Sequence, residues 1–143
     1  MAATDERSEA REEARLKTHR VKGAPAAIGP YSHATEVAGL VFCSGQTPLD
    51  PVSGELVGEN VGEQTAQVLE NLETVLAGLG LTLRHVVKTT VFLRDMADFE
   101  EMNRVYAERF GTHRPARTTV AVRQNPLDAM VEIECVAARG GGA

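Results

Sequence analysis

With 143 residues and an apolar content of 43 %, the chain can build one domain around a modest core. Aromatic residues are scarce at 4 %, and no apolar run is long enough to cross a bilayer. The formal charge is −5, but residues 1–22 hold six basic and five acidic residues, so the rest of the chain carries −6. An acidic body without a basic block argues against a nucleic-acid groove and against attachment to anionic membrane.

Residues 1–22 are rich in Glu, Arg and Ala and nearly free of large apolar side chains. They read as a charged extension, flexible or helical, with no face of its own to bury. No signal peptide is visible, and the chain reads as cytoplasmic. The domain is expected over 23–139, with 140–143 a flexible Gly-rich tail. Ala24 to Tyr31 is a loop, because Pro25 and Pro30 fix their own φ and push the preceding residues to extended geometry. Ala34–Val37 and Leu40–Ser44 flank Ala38-Gly39 and predict a hairpin. Its second strand ends on a small polar step, Ser44-Gly45-Gln46, followed by a loop from Thr47 to Gly58.

A helix is predicted from Val61 to Leu79, capped by Asn60 with Glu63 as capping-box partner and stopped by Gly78 and Gly80. Val61, Thr65, Val68, Leu69, Leu72, Val75, Leu76 and Leu79 mark its apolar face. His85 to Leu93 reads as a strand, giving a strand–helix–strand crossover of right-handed sense. A second helix is expected from Met96 to Phe110, between Asp95 as cap and Gly111 as stop. Phe99, Met102, Tyr106 and Phe110 form its buried stripe, and Asn103 falls on it, where it either fixes a local loop or faces a ligand.

Two β-rich runs, Pro115–Val122 and Val131–Val136, close the domain and predict an antiparallel hairpin across the turn-forming Gln124–Asp128. Alternation puts Arg117, Thr119, Ala121 and Arg123 on one face and Thr118, Val120 and Val122 on the other. Met130, Glu132 and Glu134 likewise oppose Val131, Ile133 and Cys135. A hairpin sets Ala121 opposite Glu132 with Thr119 as a diagonal neighbour, so Arg117 and Glu132 are expected to share one cavity. The order β-β-α-β-α-β-β defines an α+β sheet with two helices on one face. An apolar sheet face is left over, which points to an oligomer built sheet to sheet.

Neither a Ser-His-Asp nor a Cys-His order is defensible, and there is no P-loop or Gly-rich dinucleotide turn. His19, His33, His85 and His113 stand singly without metal-ligand spacing, though His33 and His113 lie near presumed site loops. Cys43 and Cys135 read as buried thiols rather than a disulfide. Arg117 is the strongest single signal. It is either the partner of Glu132 or Glu134, or a fork for a ligand carboxylate, and a loop-to-strand junction is a usual address for a ligand contact. Glu132, flanked by Val131 and Ile133, is expected to be partly desolvated and to shuttle protons to and from a water; otherwise it is a sheet-edge charge in solvent. Thr119 offers a hydroxyl or backbone group, or only β-propensity. Tyr31 and Ser44 could supply hydroxyl donors to the same pocket.

Taken together, Ala27–Ser32 (AIGPYS), Ser44–Pro48 (SGQTP), Val87–Asp95 (VKTTVFLRD), the Asp98–Tyr106 helix and Pro115–Glu134 resemble the Rid (YjgF) family of reactive-intermediate deaminases. The resemblance spans about Gly23 to Arg139. It implies a chorismate-mutase-like fold, a homotrimer with clefts between neighbouring subunits, and cofactor-free hydrolysis of 2-imino and enamine acids to 2-oxo acids and ammonia. On that resemblance Arg117 holds the substrate carboxylate, Glu132 handles the attacking water, and Tyr31, Ser44, Gly45 and Asn103 line the pocket. This chain departs from it in carrying Thr119 where many deaminating members have cysteine, and Asn125 where a leucine often precedes the proline. Two other classes follow from relatives of this kind: a non-catalytic metabolite binder or holdase trimer, and an endoribonuclease, which the acidic body disfavours.

Overall fold

The computed structural model describes residues 2–140. Along the chain lie α1 (Ala2–Ala14), β1 (Lys17–His19), β2 (Ala34–Val37), β3 (Leu40–Gln46), α2 (Val61–Gly78), β4 (Val86–Leu93), α3 (Phe99–Phe110), β5 (Ala116–Ala121) and β6 (Val131–Ala138). Six strands make one mixed sheet in the order β1-β2-β3-β6-β4-β5, and only β4 and β5 run parallel. The α+β sheet with α2 and α3 on one face is the architecture expected from the sequence.

Local chemistry sets the helices. Asn60 caps α2 by accepting from the Glu63 N–H at 2.9 Å, while the Glu63 carboxylate reaches back one residue further than a standard capping box, to the Glu59 N–H. Its end is a Schellman turn: Gly80 sits at φ 77°, Gly80 N–H donates to Ala77 and Leu81 N–H to Leu76. Gly78 serves a different purpose, because a Cβ there would collide with Val21. The apolar stripe of α2 packs on Val41 and Cys43 of β3, on Val131, Ile133, Cys135 and Ala137 of β6, and on Met102, Tyr106 and Phe110 of α3, in a single core cluster. Asp95 caps a short 3-10 turn, Met96–Asp98, that leads into α3.

Three expectations are corrected. The segment 1–22 contains a strand, β1, which adds antiparallel to β2; its Lys-Thr-His sequence carries no apolar alternation, so only its partner reveals it. The closing strands do not form a hairpin, because β4 lies between β5 and β6 and pairs with both. The 122–130 connection instead caps the end of β4, where Val122 N–H donates to Leu93 and Met130 accepts from Arg94 N–H. Last, Arg117 pairs with Thr89, whose side chain points into the helix-covered core, whereas Glu132 pairs with Phe92 on the other side. Arg117 and Glu132 therefore leave opposite faces of the sheet, and one chain does not bring them into one cavity.

The face away from the helices is uncovered. Leu40, Phe42 and Val120 on it are each about two-fifths exposed, and Lys88 Nζ donates to Thr118 Oγ1 beside them. From the sequence, either Thr118, Val120 and Val122 or the Val131, Ile133 and Cys135 side is expected to need a further surface. Thr118 and Val120 lie on the uncovered face, and the second set is the side the helices bury.

Candidate functional site

Two concavities hold most of the site residues singled out in the sequence, while Ser44 and Thr119 line neither. The first, about 360 Å³, lies between α3 and the start of β5 and is lined by Asn103, Tyr106, Arg114, Pro115 and Arg117. The Arg117 guanidinium stacks 4.8 Å from the Tyr106 ring centroid and 5.6 Å from that of Phe99. Tyr106 is fixed in turn by a 2.7 Å hydrogen bond between its hydroxyl and Thr89 Oγ1, and by stacking on Phe110 at 4.5 Å. Among the described residues no carboxylate pairs with Arg117, so the salt bridge to Glu132 or Glu134 is absent. Two buried side-chain oxygens among the described residues lack a hydrogen-bond partner, Asn103 Oδ1 and Thr119 Oγ1. Asn103 lines the arginine cavity and Thr119 follows Arg117 on the same face of β5. Orphaned buried oxygens of this kind are costly, and Asn103 Oδ1 belongs to the same cavity as an unpaired cation. Asn103 thus shows no loop-fixing bond through this oxygen.

The second concavity, about 190 Å³, opens on the other side and is lined by Tyr31, Gly45 and Glu132 together with Ile28 and Leu127. A complete ligand pocket typically encloses about 300–1,000 Å³, and this recess falls below that range. Its geometry depends on a bulge: the β3–β6 register shifts between Cys43 and Gln46, turning Ser44-Gly45 out of the ladder. Glu132 lies flat against Gly45, where any Cβ would overlap its carboxylate. Burial pushes the Glu132 pKa up, and the neighbouring Glu134 charge adds to the shift.

Other candidates have structural partners. The Ser44 hydroxyl donates to the Ser32 carbonyl at 2.7 Å, so its proton is already committed. His33 Nδ1 accepts from the Val21 N–H, which leaves Nε2 to donate to the Pro25 carbonyl, both at 2.8 Å. His113 Nε2 donates to Val86 at 2.7 Å. Cys43 and Cys135 are free buried thiols directly opposite each other on β3 and β6. Asn125 has a clear role: its Nδ2 donates to Phe92 and Ala129, both at 3.1 Å, stitching the 125–129 turn to β4. Sequence reasoning placed Phe99 and Tyr106 in the core but missed their cradle for Arg117, since that needs the crossover of α3 over β5. It also missed Ile28 and Leu127.

Fold and cavities define an α+β protein with a cationic, aromatic-backed recess on one side of its sheet and a recess walled by a half-buried carboxyl group, Glu132, on the other. The Endoribonuclease L-PSP family matches residues 21–139. Reactive Intermediate Deaminase A, chloroplastic, of Arabidopsis thaliana is 48% identical over 114 residues, which span 80% of this chain and 61% of that protein. Among solved structures, the Rid-family protein YyfA of Yersinia pestis superposes with a TM-score of 0.83 at 42% identity, covering 87% of this chain and 99% of that one. TdcF of Escherichia coli, solved with bound serine, gives a TM-score of 0.80 at 36% identity over 86% of this chain and 98% of that one. The chain belongs to the Rid/YjgF/RutC family.

Proposed function

We propose that this protein hydrolyses reactive 2-imino and enamine acids, such as 2-iminobutyrate and 2-iminopropionate/2-aminoacrylate, to 2-oxo acids and ammonia, without a cofactor, as a homotrimer. The observation that carries the reading is Arg117: a cation backed by two aromatic rings, free of any carboxylate among the described residues, at the mouth of a cavity. A bidentate guanidinium–carboxylate pair suits that cation, and Asn103 Oδ1 and Thr119 Oγ1 are acceptors for the substrate's N–H or for a bound water. The relationship to a reactive intermediate deaminase and the serine held by TdcF both support a small amino-acid-derived ligand.

In this reading each cleft joins the Arg117 recess of one subunit to the Glu132 recess of its neighbour, which resolves the opposed faces. The uncovered apolar side of the sheet supplies the contact surface. Arg117 anchors the carboxylate, and Tyr31 and the Gly45 backbone bound the space over the imine. Glu132, as carboxylate, takes a proton from water as its oxygen bonds to C2. The substrate enters as the iminium, so this addition gives a neutral tetrahedral carbinolamine. Glu132 then returns its proton to the nitrogen, and the C–N bond breaks as the C2 hydroxyl gives its proton to the freed Glu132 carboxylate. Ammonia leaves the 2-oxo acid while Glu132 sheds that last proton to solvent. An enamine enters the same route after protonation at C3. Positioning and one proton relay suffice, because imines hydrolyse in water unaided.

The test generates 2-iminobutyrate in situ from an amino-acid oxidase and follows its consumption against capture by semicarbazide. Wild type accelerates the loss, and Arg117→Ala lowers kcat/KM about 100-fold or more, as expected when two charge-assisted hydrogen bonds disappear. Intact protein that gives no acceleration would favour the metabolite-binding reading, for which the hydroxyl of Thr119 in place of a thiol is the supporting observation.

A further inference from the structure

The turn before β6 carries two consecutive non-glycine residues in left-handed backbone, Leu127 at φ 58° and ψ 20° and Asp128 at φ 54°. Such conformations are rare for leucine and persist only where surroundings over-determine them. Here the turn is pinned twice. Asn125 Nδ2 holds Phe92 and Ala129, and Arg94 Nη1 donates to both the carbonyl and the carboxylate of Asp128 at 3.2 Å. The outcome of this strain is a leucine side chain 54% exposed, turned to the cavity that has Glu132 in its wall. Ile28, 73% exposed on a separate loop, lines the same cavity. Two loops thus present large aliphatic groups where a core would normally claim them. No Lys or Arg is among the described lining residues, and Glu132 and Glu134 lie close by.

Resting on the imine-hydrolase reading, we propose that Leu127, assisted by Ile28, contacts the substrate's side chain and sets specificity for short alkyl 2-imino acids. Aliphatic contact favours an ethyl over a methyl side chain by roughly tenfold or more per methylene, and a side-chain carboxylate meets like charge with no partner.

The experiment measures kcat/KM for imines derived from alanine, 2-aminobutyrate and aspartate in wild type, Leu127→Gly and Leu127→Ala. Glycine removes the side chain and accepts the native φ; alanine removes it and keeps the strain. In parallel, pyruvate, 2-oxobutyrate and oxaloacetate are titrated by NMR as product ligands. Wild type should prefer the ethyl compound and reject the dicarboxylate, and both variants should lose about tenfold of the ethyl-over-methyl ratio. Equal preference in wild type, a common factor across all substrates, or a change of assembly state in Leu127→Gly would overturn the proposal. If imine hydrolysis is absent but 2-oxobutyrate still binds with a preference that Leu127→Gly abolishes, the catalytic reading fails and only the contact of Leu127 with the ligand's alkyl group stands. No binding of any oxo acid would overturn both.

Discussion

Glu132 owes its proton affinity to two separable causes, burial first and the Glu134 charge second. That separation makes its role measurable. The acid limb of kcat/KM for imine hydrolysis should lie above the ordinary glutamate range. Glu134→Gln should move it to lower pH, and Glu132→Gln should remove it with most of the activity. A limb unmoved by Glu134→Gln would assign the titration to another group. The sign for stability follows from the same shift. A folded-state pKa above the unfolded value makes the native state bind the extra proton, so Glu132 costs stability increasingly as pH rises through that window. Much of this residue was legible: Val131 and Ile133 on either side announce a desolvated carboxylate. Arg117 was legible only as a candidate, because its partners Phe99 and Tyr106 arrive from a helix and not from its own strand.

Among the elements, the strand missed in the sequence shows what non-local pairing contributes. β1 lacks any apolar pattern, yet it is fastened to β2 by the Glu36 carboxylate. His19 Nε2 lies 2.9 Å from Glu36 Oε1, and Arg139 approaches both carboxylate oxygens, with Nη1 also donating to Leu79 at 2.8 Å. The guanidinium chiefly, with His19 after burial's opposing effect, lowers the Glu36 pKa from 4.5 to about 2. A depressed carboxylate pKa contributes stability that is fully present above the unfolded value and drains away as pH falls towards 2. Glu36→Gln should therefore lower unfolding stability at pH 7 by about 1–2 kcal/mol, a figure discounted for the partly exposed arginine. The deficit should shrink in urea melts as pH is lowered below 4.5, and a constant deficit would point to lost packing instead. The other misread element, the supposed hairpin of β5 and β6, has a plain cause. Alternation within two strands fixes which residues share a face in each, but says nothing about a third strand arriving from earlier in the chain to separate them.

On the scale of the whole molecule, helix faces, caps and the uncovered apolar side of the sheet could all be read from periodicity and from counting surfaces. Strand order could not, and strand order decides that Arg117 and Glu132 part company. The division gives a direct assay of the proposed trimer. Arg117→Ala and Glu132→Gln, each inactive alone, should recover activity when unfolded and refolded together. Random mixing into rings leaves about one cleft in four with both native groups, hence about one quarter of wild-type activity. No recovery, with mixed oligomers verified by mass, would mean that the two groups do not act in a shared cleft.

The opposed orientation of these two side chains also bears on when the protein can act. On the proposed reading, a freshly synthesised polypeptide that has folded but not yet met its copies is chemically silent. Its catalytic competence is then a property of encounter, and abundance governs the onset of turnover as much as folding does.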